Sequence, residues 1–177
     1  MADLPAADAT ANASPLSTLS AWQRFGEPPF EALRRLALRS AHTAVEISGC
    51  DAARAALAWF DRCIAVHHRV LEDALFPELV ESMAGSDPVC LRELATAATT
   101  GHRAVERLWR SLRPACVDLS QGVAATLDAD VVTALVDACR ANFERADREL
   151  IPLAGRLLDD AALARLRARL EALTSAD

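Results

Sequence analysis

The residues of this chain that are best suited to bind a metal or take part in a reaction are its four histidines, His42, His67, His68 and His102. His67 and His102 fall on the apolar, inward-facing stripes of two successive predicted helices. Facing helices that each point a polar ligand inward are the way in which helical bundles hold metals. The alternative is a pair of hydrogen-bonded core histidines, because a buried imidazole is costly unless its nitrogens find partners such as Asn142 or Glu149.

His68 and Glu72 form a second pair with a chemically useful spacing. They are four residues apart, which places both side chains on one face of a helix. The apolar stripe nevertheless predicts that His67 lies inside and His68 toward the flank of the bundle. Glu72 and Asp73 are then expected to be solvated near the helix end. The pattern predicts no role for His42.

The five cysteines form neither a disulfide framework nor a recognisable catalytic motif. Their number is odd, no two are spaced as Cys-x-x-Cys, and several lie on apolar helical stripes. Reduced core thiols in a cytoplasmic protein are therefore expected. A dyad of Cys139 with a histidine is the remaining enzymatic hypothesis. Because the chain has no Gly-rich phosphate loop and no Gly-x-Ser-x-Gly motif, we expect a protein that is not an enzyme.

Helices must position these side chains, because alanine, leucine and arginine dominate while glycine is scarce and tyrosine is absent. Apolar periodicity predicts four helices and a short fifth one, at residues 29–47, 51–83, 88–113, 129–158 and 161–173, with a loop over 114–127. Asp128 or Asp130 is expected to cap the fourth helix. The predicted fold is all-α: an antiparallel up-down-up-down four-helix bundle over 29–173, with a short C-terminal fifth helix. Residues 1–28 are expected to be a loose, poorly ordered N-terminal lead-in.

Charge and hydropathy limit the classes of partner. The net charge is −6, which disfavours nucleic acid as a partner. Acids and arginines interrupt every apolar run before the roughly 18 residues needed to span a bilayer, so no membrane association is expected. The N-terminus has no secretory pattern, and a cytoplasmic location is expected. Arg165, Arg167 and Arg169 of the last helix are interpreted as a solvated face.

Two segments of the chain share a motif 75 residues apart, Glu72–Pro77 and Asp147–Pro152. The first belongs to His67–Pro77, which resembles the HHxxEExxLFP signature of the hemerythrin-like (HHE cation-binding) domain family. Asn142–Pro152, followed by Leu153 and Ala154, resembles the matching signature of the fourth helix. His102 with Trp109 resembles the third helix, and Pro29–Leu33 with Arg39 the start of the first. The resemblance covers about residues 28–172.

This resemblance implies a four-helix bundle with a non-haem di-iron centre, as found in proteins that bind oxygen, sense oxygen or nitric oxide, or handle iron. The family's ligands are a histidine from the first helix, His-x-x-x-Glu from the second, a histidine from the third, and His-x-x-x-Glu or Asp from the fourth. Carried over by residue, two of the six positions keep a ligand, His67 and His102. The other four are Ala37, Leu71, Asn142 and Ala146.

The substitutions predict a degenerate metal site, because two irons need bridging carboxylates as well as imidazoles. Glu72 and Asp147 lie one residue beyond the expected carboxylates and, with Asn142, are weaker candidate ligands. The cofactor expected is none, or one weakly held metal ion. We therefore expect a binding or regulatory module for an unidentified small ligand or protein partner. The alternative is a protein with a reduced mononuclear site on His67 and His102.

Overall fold

The computed structural model describes residues 14–38, 46–82 and 88–175 of the chain. All regular structure in these ranges is helical, which confirms the all-α prediction. The helices are α1, Pro15–Arg24; α2, Glu27–Ala37; α3, residues 47–82; α4, Pro88–Ser120; α5, residues 129–157; and α6, Asp160–Ser175. His42 lies outside the described residues.

Helix α1 lies within the segment that was expected to be a loose lead-in, and this part of the expectation is corrected. Leu16, Leu19 and Trp22 are buried, and they recur every three residues, which places them on one helical face. This face packs against the end of α5 and against α6. The Ala-, Ser- and Pro-rich composition around α1 favours a loop, so the sequence did not predict this short amphipathic helix.

Helix α3 begins at Ile47, four residues earlier than predicted, because Gly49 and Cys50 lie within the helix and do not interrupt it. Glu46 has an extended backbone and serves as the N-cap. Its carbonyl oxygen accepts hydrogen bonds from the amides of Gly49, at 2.8 Å, and Cys50, at 3.1 Å. Gly49 and Cys50 therefore belong to the first turn of α3. Helix α2 ends at Ala37, ten residues before the predicted end at residue 47.

Two of the helices contain π-helical turns, which hold more residues per turn than an α-helix. They are Trp59–Ile64 and Leu71–Leu75 in α3 and Ala146–Leu150 in α5. The last two occupy equivalent places in the repeated motif, just before Phe76-Pro77 and Ile151-Pro152. Proline has no amide hydrogen and clashes with the carbonyl four residues earlier. The carbonyl of Asp73, four residues before Pro77, instead accepts a hydrogen bond from Arg169 Nη1 at 3.3 Å.

Helix α4 continues to Ser120 through Pro114, where a loop was predicted. Leu112, Cys116 and Leu119 are buried, and their spacing keeps one face of this extension in the core. A turn at Gln121 and Gly122 follows the helix, and the Gly122 φ of 80° is readily adopted by glycine. Helix α5 then begins at its predicted cap, since Asp128 Oδ1 accepts hydrogen bonds from the amides of Asp130 and Val131.

Helix α6 is held by an ion pair that the sequence interpretation missed. Glu78 of α3 has a side chain only 1% exposed, and Arg165 binds both of its carboxylate oxygens, with Nη2 2.8 Å from Oε2. Arg169 Nη1 lies 4.0 Å from Oε1. Two of the three arginines assigned to a solvated face therefore anchor α6 to α3.

Helices α2, α3, α4 and α5 pack in a ring, in which α2 and α4 each contact both α3 and α5. Their buried side chains form one cluster, which includes Phe30, Phe60, Trp109 and Phe143. A second cluster joins α1 and α6 to the later parts of α3 and α5. No helix in the three described ranges is long and apolar enough to cross a lipid bilayer.

Candidate functional site

Three buried histidines meet where these two clusters join. His67 and His68 lie in α3 between its two π-helical turns, and His102 lies in α4. The rings of His68 and His102 are stacked, with centroids 3.9 Å apart, and the His67 ring lies 6.2 Å from that of His68. The structure thus places the two predicted residues, His67 and His102, in one cluster, together with a third histidine.

His68 was expected at the bundle flank, yet it is only 5% exposed. The π-helical turn Trp59–Ile64 precedes it. The predicted stripe of Ile64, His67 and Leu71 is still buried after this turn. His68, beside the stripe, is buried as well because the ring of His102 on α4 stacks on it.

Glu72 belongs to the histidine cluster and is not a solvated residue at a helix end. Its side chain is 19% exposed, and its Oε1 lies 2.7 Å from Nδ1 of His102. Because an ionised carboxylate only accepts hydrogen bonds, Nδ1 of His102 donates. Arg103 Nη2 donates to Glu72 Oε2 at 2.9 Å, and Arg103 Nη1 to Glu106 Oε1 at 2.7 Å. Glu106 Oε1 is 3.6 Å from His68 Nδ1.

Burial keeps these histidines neutral. Desolvation, followed by the charge of His102, lowers the pKa of His67 to about 3. Desolvation, followed by the charges of the other two histidines and Arg103, lowers the pKa of His68 to about 2. Desolvation also lowers the pKa of His102, while its hydrogen bond to Glu72 and the charge of that carboxylate oppose the change. An imidazole that stays neutral retains a lone pair for a ligand.

His67 has no hydrogen-bond partner on either ring nitrogen among the described residues. Its neighbours are aromatic: Phe143 meets its ring edge-on with centroids 5.5 Å apart, and Trp22 lies at 5.9 Å. Asn142, the predicted partner, instead lies against Gly101 of α4, so closely that a Cβ added at Gly101 would be 2.8 Å from Asn142 Cγ. Glu149, the other predicted partner, is exposed.

Asp147, the remaining weaker candidate, points to a different surface. It is exposed, and its Oδ1 accepts a hydrogen bond from Ser20 at 2.9 Å. Together with Glu27, Arg140 and other residues it lines a shallow cavity between α1, α2 and α5. The structure therefore joins Glu72, but not Asp147, to the histidines.

The donor set does not fit a di-iron centre. Leu71 and Ala146, at the family's carboxylate positions, are buried apolar residues, and Ala37 packs beside the core. Glu72 is already bound by His102 and Arg103. Within the described ranges, no group of three or more His, Cys, Asp or Glu side chains is arranged to hold a metal ion. Bridging carboxylates, which two irons require, are missing from the set.

An open cleft of about 320 Å³ lies between α3 and α4 beside His68. Phe60 and Trp109 stack there with ring centroids 4.6 Å apart. Asp61 Oδ1 accepts a hydrogen bond from Trp109 Nε1 at 2.7 Å, and Arg113 binds the same carboxylate. The sequence alone does not predict this cleft, because its walls come from residues about 50 positions apart in the chain and no local motif connects them.

Comparisons with known proteins identify no relative. No family model, no curated protein and no solved structure matches this chain. A function is therefore inferred from the geometry of the histidine cluster and the cleft, together with the resemblance carried by the two helix motifs.

Proposed function

We propose that this chain is a hemerythrin-like bundle that has lost the di-iron centre and acts as a binding or regulatory module in the cytoplasm. The observation that supports the proposal is the type of residue found at each position where the resemblance implies an iron ligand. Leu71 and Ala146 are buried where carboxylates would be needed. Glu72, the carboxylate nearest the histidines, is paired with Arg103 and bound by His102.

This pattern is physically coherent as a loss of metal. A carboxylate left at position 71 or 146 without iron would be a buried, unpaired charge, which costs several kcal/mol in order of magnitude. Apolar residues avoid that cost and fill space in the second cluster of the core. Metal and carboxylates are therefore expected to disappear together.

The proposed architecture is the antiparallel up-down-up-down bundle of α2 to α5, with α6 as a fifth helix. The ring of contacts among these four helices supports it, as does the short connection between α4 and α5. The proposed role is binding, without catalysis. The cleft beside His68 is lined by aromatic, aliphatic and charged side chains, and none of its lining residues is a cysteine.

The metal content of the purified protein tests this proposal. The chain is expressed with added iron, purified without a histidine tag, and analysed by mass spectrometry for metal per chain. No stoichiometric metal is expected. About two irons per chain, with the absorption of an oxo-bridged pair, would overturn the proposal.

A mononuclear metal site on His67 and His102 is the second candidate function. The observation in its favour is that both ring nitrogens of His67 are buried without a hydrogen bond in the described part of the chain. Two imidazoles with water or an amide oxygen hold zinc, copper or iron weakly. One metal per chain, lost in His67→Ala and His102→Ala and retained in Asp147→Ala, would favour this candidate. Metal content that is unchanged in both histidine variants would refute it.

A further inference from the structure

We propose that the cleft beside His68 is the ligand site of this module, and that it takes a small monocarboxylate with an aromatic or branched apolar body. The inference rests on the proposed function only in that a binding module needs a ligand. The volume of the cleft, about 320 Å³, is at the lower end of the roughly 300–1,000 Å³ usual for small-molecule pockets. A ligand about the size of one aromatic ring with a short acid chain fits this space.

The apolar part of the cleft selects the ligand body. Phe60, Ile64 and Trp109 line it, and the first and last of these are stacked nearly parallel, with 20° between their planes. Trp109 is fixed by its hydrogen bond to Asp61. A rigid aromatic wall of this kind binds flat or branched apolar groups through buried area with little loss of side-chain entropy.

The backbone irregularity at this cleft has no proline to explain it. The other two π-helical turns each precede a proline, whereas no proline occurs between Pro29 and Pro77. Trp59–Ile64 nevertheless contributes Phe60, Asp61 and Ile64 to the cleft wall. π-Helical turns occur frequently at functional sites, where they redirect side chains.

Charge selects the ligand's head group. Asp61 at the cleft is paired with Arg113, and Glu106 shares Arg103 with Glu72. Arg110 also lines the cleft, and within the described ranges no hydrogen bond or ion pair is found for it. Arg110 therefore offers a ligand a guanidinium that none of these carboxylates already binds. Guanidinium groups bind carboxylates through paired, charge-assisted hydrogen bonds.

His68 places a buried, unsatisfied polar atom close to the cleft. It contributes to the cleft wall although its side chain is only 6% exposed, and Nδ1 is 3.6 Å from the nearest Glu106 oxygen, beyond hydrogen-bonding distance. In the described chain this nitrogen has no hydrogen-bond partner. Buried polar atoms of native proteins are nearly always satisfied. Because Nδ1 is itself buried, it adjoins the site, and the polar end of the ligand is bound by Arg110.

Binding of phenylacetate to the full chain tests the proposal. The indole N–H signal of Trp109 is followed by NMR during titrations with phenylacetate, phenylacetamide and phenethylammonium, which share a ring but differ in charge. Phenylacetate is expected to give a saturable shift and the other two none. Arg110→Gln, at an exposed position, is expected to weaken phenylacetate binding about tenfold or more. Arg107→Gln, on the same helix but outside the cleft, serves as the control and is expected to bind normally.

Three results would overturn the proposed ligand class: phenethylammonium binding in preference to phenylacetate, phenylacetate binding that ignores Arg110→Gln, or no saturable shift at millimolar concentrations. Ala65→Leu, which fills the cleft, gives a second check and is expected to abolish the shift. These outcomes are independent of metal content. A chain that holds two irons refutes the proposed function, whereas a metal-free chain that ignores phenylacetate refutes only this ligand.

Discussion

His67 and His68 are adjacent histidines that are both buried in a core of aromatic and apolar side chains. Burial of an imidazole without hydrogen bonds destabilises the folded state, because the water that solvated its nitrogens is lost and not replaced. A protein keeps such residues where they serve a purpose other than stability. At the residue scale, this cost is the physical argument that the histidine cluster is a functional feature.

The stability of the metal-free protein is expected to fall as the pH drops from 6.5 toward 3. Above pH 6.5 the histidines are neutral in both states, so they contribute no pH dependence. Below it the unfolded chain binds protons that the folded chain cannot, because the folded pKa values of His67 and His68 are about 3 and about 2. Each histidine then lowers the free energy of unfolding by up to about 1.4 kcal/mol per pH unit. Urea unfolding at pH 7.5 and pH 5 measures the difference.

His67→Leu checks the origin of this acid sensitivity. The variant removes the contribution of His67, so the difference between pH 7.5 and pH 5 is expected to shrink by about 2 kcal/mol. The exposed carboxylate Glu149 gives the control, since Glu149→Gln is expected to leave the difference unchanged. An undiminished acid sensitivity in His67→Leu would contradict the assignment. At pH 7.5 the variant is expected to be at least as stable as the parent, because it removes two unsatisfied buried nitrogens.

At the scale of the elements, α4 and α5 approach closely where Gly101 meets Asn142. A Cβ at position 101 would collide with the Asn142 side chain. Gly101→Ala is therefore expected to destabilise the protein by about 1–2 kcal/mol, although alanine is the better helix former by about 1 kcal/mol. In the Asn142→Ala background the collision is absent, and Gly101→Ala is expected to stabilise the protein. Urea unfolding of all four proteins forms the double-mutant cycle, and additive effects would refute the contact.

The docking of α6 onto α3 depends on one buried charge. Arg165→Ala would leave Glu78 buried with only the longer contact to Arg169, at 4.0 Å. A loss of about 3 kcal/mol in the free energy of unfolding is expected, because an unpaired buried carboxylate is strongly destabilising. The matched control is Arg148→Ala, which breaks a 2.7 Å pair with Glu144 on the exposed surface of α5.

The control pair is expected to contribute about 0–1 kcal/mol to the free energy of unfolding, because water screens the attraction between two exposed charges. Glu78→Leu in the Arg165→Ala background is expected to restore part of the lost stability, since it removes the unpaired charge itself. Equal losses in Arg165→Ala and Arg148→Ala would show that burial of Glu78 does not determine the strength of this contact.

At the scale of the whole molecule, the two core clusters determine which thiols can react. Cys63, Cys116 and Cys139 are buried, Cys50 is half-buried and Cys90 is exposed. Burial raises the pKa of Cys116 and of Cys139 to about 12, and the thiolate is the reactive form. In the native protein an aromatic disulfide reagent is expected to modify Cys90 rapidly and Cys50 slowly, and all five thiols only after unfolding.

Cys90→Ser is expected to remove the rapid phase of this reaction, and Cys139→Ser to leave it intact. Absorbance of the released thiolate measures both. Rapid native reaction of Cys139 would contradict the burial described above and would restore the hypothesis of a thiol–histidine dyad.

The sequence by itself determined the all-α class and the approximate spans of the long helices, and it narrowed the cap of α5 to Asp128 or Asp130. These features depend on composition and on side chains within a few residues of one another, which a linear pattern records. The same periodicity identified His67 and His102 as core residues, and both are buried. It did not identify α1 as a helix, because a ten-residue segment gives only two or three repeats of an apolar stripe.

Only the tertiary structure decided which side chains meet. His68 and Glu72 joined the cluster because His102 and Arg103 of α4 contact them, and local spacing does not reveal that contact. Glu78 and Arg165, 87 residues apart, pair because α6 folds back onto α3. The cleft exists because α3 and α4 bring Phe60 beside Trp109. Burial and charge pairing depend on neighbours that are distant in the chain, so they become fixed only when the helices pack.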